Sequence, residues 1–234
     1  MSMTDRDHVS RQYASELNLE TRISVWHPTL DGRDPACEAL HAITHDSPAR
    51  VLEVGCGTGA FASRIAAALP TSDLVAVDQS PRFIELTSRR GLDARRADVQ
   101  DLPFDDDSFD TVVAMWVLYH VADLHRGLSE LRRVLRPGGR MVAVTNGDDH
   151  LADLRREAGG EPLHTHFSSE NGEAALLRHF DDVTRDDLPT RAFFPDHAAA
   201  VAYLTSSQED VDWNLPVFDG PREYGGHATV FVAH

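Results

Sequence analysis

VLEVGCGTGAFASRIAAALP, residues 51–70, decides how the rest of the chain is read. The apolar run Val51–Val54 meets three glycines at alternate positions, Gly55, Gly57 and Gly59. An amphipathic stretch follows, with Phe61, Ile65, Ala66 and Leu69 at helical spacing. The pattern predicts a strand, a tight turn and a helix. Glycines let the backbone of such a turn approach a ligand closely, because no Cβ intrudes. Two ligand types use this arrangement: a dinucleotide held by its pyrophosphate, and a nucleoside that carries no phosphate.

The turn alone does not choose between them. Gly55–Ala60 satisfies the G-x-G-x-x-A form of the dinucleotide fingerprint, and Asp78 ends the next apolar run, where such folds bind a ribose. Glu53 favours the other ligand. A carboxylate two positions before the first glycine repels a pyrophosphate and tolerates an ammonium group.

Outward from the turn, residues 50 to 146 alternate regularly. Strands are expected at Arg50–Val54, Asp73–Val77, Asp93–Val99, Phe109–Trp116 and Met141–Thr145. Helices are expected at Gly59–Leu69, from Pro81 to near Gly91 with Ser80 as cap, and at Leu124–Leu135 before Pro137–Gly138–Gly139. This is the signature of βαβ units on a parallel sheet with right-handed crossovers. The first 49 residues read as one or two helices. Later elements are a helix at 170–179, a strand at 182–188, a helix at 196–204 and a last strand at 228–233. The 234 residues suit one α/β domain.

Composition narrows the function classes. The 41% hydrophobic and 26% charged content is that of a globular chain, and no apolar run approaches bilayer length. The polar start MSMTDRDHVSRQY lacks a signal-peptide core, so a cytoplasmic location with no membrane association is expected. Two cysteines, Cys37 and Cys56, form no C-x-x-C pair and signal neither disulfide nor zinc. With a formal net charge of −16 and basic pairs split between Arg89–Arg90 and Arg95–Arg96, no nucleic-acid partner is expected. His164 and His166 lack an evident third ligand and read as loop, so no metal is expected. Asp105–Asp107 reads as a solvated loop.

VLEVGCGTG, VDQS, ADVQDLPFDDDSFD and LRRVLRPGGRMVAV, in that order, resemble the class I S-adenosylmethionine-dependent methyltransferases. The likeness is to the small-molecule branch that includes ubiquinone and menaquinone biosynthesis enzymes, and it covers residues 48 to 146. It implies a single doubly wound Rossmann-like fold with helices on both faces of a mostly parallel seven-stranded sheet, whose last strand is antiparallel. It also implies an N-terminal helical lid (1–45), a cofactor core (48–146), an acceptor region (147–228) and the final strand (228–234).

The cofactor implied is S-adenosyl-L-methionine. Asp78 is then placed for the ribose hydroxyls, and Asp98 with the Val99 amide for adenine. Gln79 lines the adenine or ribose side, and Glu53, Gly55, Cys56 and Gly57 border the methionine portion. Met115 and Trp116 face the methyl group. Tyr13, and Arg22 beyond it, reach the cofactor from the N-terminal segment. His120, in MWVLYHVADLH, is the candidate base for an acceptor that holds a proton at neutral pH.

The acceptor is expected to be a small molecule methylated on oxygen or nitrogen, less readily on carbon. Trp26, Phe167, Phe193, Phe194, Tyr203 and Trp213 are candidate pocket walls, of which fewer than half should touch it. The protein is expected to be a monomer or homodimer. Two other readings stay open: a non-catalytic S-adenosylmethionine-binding partner, and an NAD(P)-dependent oxidoreductase.

Overall fold

Adjacent residues in the central strands are buried on opposite sides: Val51 and Leu52, Val112 and Val113, and Val142 and Ala143 are all under 2% exposed. Strands buried on both faces need helices on both faces. The computed structural model describes residue 4 and residues 16–27, 32–207 and 209–234. The elements in chain order are α1 (Glu16–Ser24), β1 (Trp26–His27), α2 (Pro35–Thr44), β2 (Arg50–Val54), α3 (Ala60–Ala68), β3 (Asp73–Asp78), α4 (Pro81–Arg89) and β4 (Asp93–Arg96). Then follow β5 (Phe109–Met115), α5 (Leu124–Val134), β6 (Leu135–Asn146), α6 (Ala152–Glu157), α7 (Gly172–Leu176), β7 (Val183–Phe194), α8 (His197–Ser206) and β8 (Arg222–Ala233).

The sheet runs β1-β7-β8-β6-β5-β2-β3-β4. The run from β6 to β4 is parallel, and β8, the last strand, lies antiparallel to both β6 and β7. The expected mostly parallel sheet is therefore present, with one strand more than the seven expected. The extra strand is β1, whose two residues pair with Ala192 and Arg191 at the β7 edge. Two residues are too few for periodicity to reveal.

Side chains cap the helices as the residue types demand. Ser80 Oγ accepts from Phe83 N, and Pro81 holds the first helical position of α4. Asp34, Asp123 and Asp196 cap α2, α5 and α8 in the same way, accepting from Cys37, Arg126 and Ala199 amides. Leu128, Leu131 and Val134 of α5 pack on one face of the sheet with Leu176 of α7. Ile43 of α2 and Ala62 and Ile65 of α3 cover the other. A third cluster, with Val25, Leu154, Phe194, Ala200 and Leu204, joins the later helices to the end of β7.

Several boundaries differ from expectation. The β4 strand stops at Arg96, because Asp98 closes a turn in which its Oδ1 accepts from Gln100 N at 3.0 Å. The β6 strand starts at Leu135: Phe109 pairs with Leu135 and Thr111 with Arg140, so Pro137–Gly139 bulge from the ladder, with Gly138 at φ +76°. The β7 and β8 strands each reach 12 residues, because they pair with one another along their whole length. The helix expected at 170–179 contracts to Gly172–Leu176.

Candidate active site

The glycine turn after β2 is closed by its own backbone. Gly55 N and Cys56 N both donate to Val77 O, at 2.8 and 3.1 Å, and Gly59 N donates to Cys56 O at 2.9 Å. Gly57 N donates to Asp78 Oδ2 at 3.0 Å, while Ser80 N donates to Asp78 Oδ1 at 2.9 Å. These five amides are spent within the protein, while the first-turn amides of α3 receive no side-chain cap. The backbone of the turn therefore does not choose the ligand, and the choice rests on the carboxylates around it. Asp78 is fixed from both sides, and each of its oxygens keeps a lone pair for a ligand hydroxyl. Burial raises its carboxyl above the usual range, against the lowering effect of the Ser80, Gly57 and Gln79 amides.

All three glycines have positive φ, at 68°, 53° and 74°. Their surroundings correct the expectation that a Cβ anywhere in the turn would strike the ligand. A Cβ on Gly55 would meet Val117 at 2.4 Å, and one on Gly59 would meet Thr87 at 2.6 Å. Those two glycines serve chain packing. Gly57 is the open one, its nearest neighbour being Leu19 of α1 at 3.3 Å.

Above the turn lies a cavity of about 990 Å³, within the range of small-molecule sites. It is lined by Glu53, Gly55, Cys56, Gly57, Asp78, Gln79, Val99, Met115, Trp116 and His120, which the sequence had marked from widely separated motifs. Leu19, Arg22 and Ile23 of α1 form part of its wall. Asp98 does not line it. The Asp98 carboxylate faces the Gln100 amide and side chain, at 3.0 and 3.1 Å, with Gln79 Nε2 at 3.4 Å. Tyr13 lies outside the described residues.

Glu53 is the unusual group. It is 1% exposed, it borders the cavity, and its Oε2 has no hydrogen-bond partner among the described residues. Burial, with the nearby Asp78 charge, pushes its carboxyl up to about 8. The adjacent Cys56 thiol is pushed up to about 12 by burial and by the same two carboxylates, and contacts Thr87 Oγ1 at 3.6 Å. Such a thiol is inert packing.

Trp116 directly follows β5 with φ at +51°, a costly conformation for an aromatic residue. Its Nε1 donates to Asn146 Oδ1 at 2.9 Å. His120 sits on a 3-10 turn, Leu118–His120, with its ring 4.5 Å from that of Tyr119. Of the aromatic candidates, Trp26 and Tyr203 border the cavity. Phe167 and Phe194 are core residues with no exposure. Phe193 packs edge-on to His27, and Trp213 lies under the Arg155 guanidinium. Four of the six are therefore structural.

The sequence reading missed His150, Asn146 and Thr190, which line the cavity beyond Trp116. Asn146 ends β6 and His150 follows in the loop after it, where the strand-end rule could have pointed to them. Thr190 lies inside the long β7, where no local signal marks it. His164 pairs with Asp148 at 2.7 Å in its loop. Asp149, Glu170 and His227 bring three possible ligand atoms within 4.8 Å of one another at the surface, a grouping the sequence did not suggest.

The cavity residues fit S-adenosylmethionine. The buried Glu53 carboxyl, whose Oε2 has no partner among the described residues, calls for a cation, and Asp78 offers acceptors for vicinal hydroxyls.

Residues 52–143 match the family model described as a methyltransferase domain. A demethylmenaquinone methyltransferase of Clavibacter sepedonicus is 42% identical over 98 residues, 40% of this chain and 39% of that protein. A malonyl-[acyl-carrier protein] O-methyltransferase of Methylococcus capsulatus is 35% identical over 127 residues, 52% of this chain and 46% of the relative. The matched stretches thus span under half the length of these two relatives. Among solved structures, the [4+2]-cyclase SpnF superposes with a TM-score of 0.65 at 17% identity, covering 99% of this chain and 96% of that one. That likeness is one of fold alone.

Proposed function

Residues 52–143 form a class I S-adenosylmethionine-dependent methyltransferase domain, and from that premise we propose that the chain methylates an oxygen or nitrogen of a small-molecule acceptor. The observation that carries this reading is Glu53, a buried carboxylate whose Oε2 has no partner among the described residues, at the wall of the cavity that Asp78 also lines. A cationic, phosphate-free nucleoside offers positive charge to the one and hydroxyls to the other. A pyrophosphate is repelled by both carboxylates.

S-adenosylmethionine supplies a methyl group already activated by its sulfonium. The work left to the protein is alignment and the exclusion of water. Asp78 holds the ribose hydroxyls, Gln79 and Val99 border the base, and Glu53 balances positive charge. Met115 and Trp116 close the cavity at the strand ends, where the acceptor meets the donor. His120 receives the acceptor's proton when there is one to remove. Arg22, Leu19 and Ile23 of α1 cover the cavity as a lid, and the acceptor is drawn from small molecules rather than from nucleic acid.

Turnover tests this directly. Purified protein is incubated with S-adenosylmethionine and a panel of phenols, amines and keto acids, and S-adenosylhomocysteine is measured by mass spectrometry. Acceptor-dependent formation of the product supports the reading. Tight binding of S-adenosylhomocysteine with no turnover across the panel would favour a non-catalytic binding partner instead.

A further inference from the structure

The cavity continues past Trp116 into a region whose polar groups the donor half does not use. Asn146 from the end of β6, His150 from the loop after it, Thr190 from β7 and Arg22 from α1 all border it, with Trp26 as a wall. Trp26 lies against His150, ring centroids 4.4 Å apart at 32°. Gly226 makes the room: a Cβ there would come within 2.5 Å of Thr190 Oγ1 and 2.7 Å of the Trp26 ring.

The backbone beside His150 favours one position for its ring hydrogen. Its Nδ1 lies 3.2 Å from the His227 amide N, and 2.9 Å from the His227 carbonyl oxygen. That carbonyl already accepts from Gly147 N at 3.0 Å. In a strand, N–H and C=O of one residue point to the same side, so the His227 amide faces away from β7 and toward His150. Its acceptor among the described residues is His150 Nδ1. Satisfying every backbone group therefore requires a bare Nδ1 and a proton on Nε2. Burial, reinforced by the Arg22 and His227 charges, pushes the imidazole down to about 3, so the ring is neutral, and with Nδ1 accepting from the His227 amide its one hydrogen sits on Nε2.

The other groups present donors too. Asn146 Oδ1 is occupied by the Trp116 indole, which leaves its amide hydrogens for the cavity. Thr190 is 7% exposed, and its Oγ1 has no partner among the described residues. Arg22 adds positive charge above the Tyr203 ring, 5.9 Å from its centroid. Glu209, the acid near this group, is held by Arg155 through two bonds of 3.0 and 2.7 Å.

We propose that His150 Nε2, Thr190 Oγ1 and the Asn146 amide form an oxyanion subsite, so that the acceptor is a flat molecule presenting an anionic oxygen, a phenolate or enolate, beside Trp26. The proposal rests on the methyltransferase reading and specifies its substrate class. A donor-lined site rejects an analogue that lacks the matching group, because its buried polar atoms are then left unpaired.

The probe is 4-nitrophenol, whose absorbance reports its ionisation, with 4-nitroanisole as the non-ionisable control and 4-nitrobenzoate as the carboxylate control. Binding is measured with and without S-adenosylhomocysteine, whose own binding is followed separately by calorimetry. The expected result is that bound 4-nitrophenol ionises at lower pH than in solution and binds about tenfold or more tighter than 4-nitroanisole. His150→Phe and Thr190→Val each shrink that difference while S-adenosylhomocysteine still binds. Nitrogen-15 spectra of the wild-type protein, which need no variant, show the Nε2–H tautomer of His150 shifting on addition of the phenol. Tighter 4-nitrobenzoate keeps the oxyanion subsite and assigns the acceptor to carboxylates. Equal binding of 4-nitroanisole, or an Nδ1–H tautomer, overturns the subsite. Loss of S-adenosylhomocysteine binding in the wild-type protein would instead remove the methyltransferase reading.

Discussion

The indole Nε1 of Trp116 donates to Oδ1 of Asn146 at 2.9 Å, tying the carboxyl end of β5 to that of β6. The bond does two things at once. It holds a tryptophan at φ +51° on the cavity wall, and it turns the Asn146 amide hydrogens toward the cavity. Trp116 N also donates to Val144 O at 2.8 Å, so the strained residue is anchored by both backbone and ring.

Replacing Asn146 by Leu keeps the volume and removes the indole's acceptor. Unfolding in urea should show a loss of about 1–2 kcal/mol, the cost of an unpaired donor in a half-buried place. Acceptor binding should weaken as well. An unchanged unfolding midpoint would mean that the indole finds water as readily as Asn146.

Asp78 accepts from the Gly57 and Ser80 amides, and the proposed reading gives its remaining lone pairs to the ribose. Asp78→Ala should weaken S-adenosylhomocysteine binding by about ten- to a hundredfold, corresponding to roughly 1.5–3 kcal/mol for a charge-assisted contact. Calorimetry on a folded variant measures it. Wild-type affinity would take Asp78 out of the cofactor site.

Glu53 links stability to pH in an unusual direction. Its carboxyl stands near 8 in the folded chain against an ordinary value of 4.5, so between those limits the folded state binds more protons than the unfolded one. Its contribution to the stability of the ligand-free protein is therefore largest below about 4.5, falls as pH rises toward 8, and is level above that. The full span is on the order of 5 kcal/mol. Glu53→Gln should flatten this part of the profile and stabilise the free protein at pH 8. The same variant should bind S-adenosylmethionine more weakly, because the carboxylate balances the ligand's charge. Wild-type binding near pH 7 should release a proton, which calorimetry in buffers of different ionisation enthalpy detects. A stability profile identical in wild type and Glu53→Gln would show that the carboxyl titrates normally.

The contrast between Asp78 and His150 shows what the sequence made legible. Asp78 ends an apolar run whose neighbours on both sides alternate strand and helix, so its place at a strand end followed from local pattern. Glu53 stood out because a carboxylate two residues before a glycine turn conflicts with one of two ligands. Asp98 stands at the expected end of its segment, but its carboxylate faces Gln100 rather than the cavity, through a turn whose hydrogen bonds no periodicity reveals. His150 and Thr190 meet only because β8 inserts between β6 and β7. Long-range pairing of that kind leaves no local signature, so the lining around the glycine turn was readable and the lining from β7 was not.

The α1 helix supplies Leu19, Arg22 and Ile23 to the cavity wall, and Ile23 is 59% exposed. A wall helix that leaves its Ile23 largely exposed should open readily without ligand. Hydrogen exchange of residues 16–24 should slow on adding S-adenosylhomocysteine, while β2 and β5 amides stay protected throughout. Equal exchange in both states would make α1 a fixed wall rather than a lid.

His120 and the proposed oxyanion subsite divide the acceptor's chemistry between them. His120 lies on the 3-10 turn just beyond Trp116, at the cavity wall, where an imidazole can take a proton from a hydroxyl. The donors around His150 can hold an oxygen anion but cannot remove its proton. For a phenol acceptor, His120→Ala should therefore lower turnover by about 10²–10⁴-fold, the usual worth of a general base. The loss should shrink as the pH approaches that at which the acceptor ionises unaided, and S-adenosylhomocysteine affinity should stay at the wild-type level. Retention of more than about a third of wild-type turnover, far above what base removal leaves, would make His120 a wall residue. Ionisation of the acceptor would then fall to the subsite at His150 and to solvent, and methyl transfer to alignment alone.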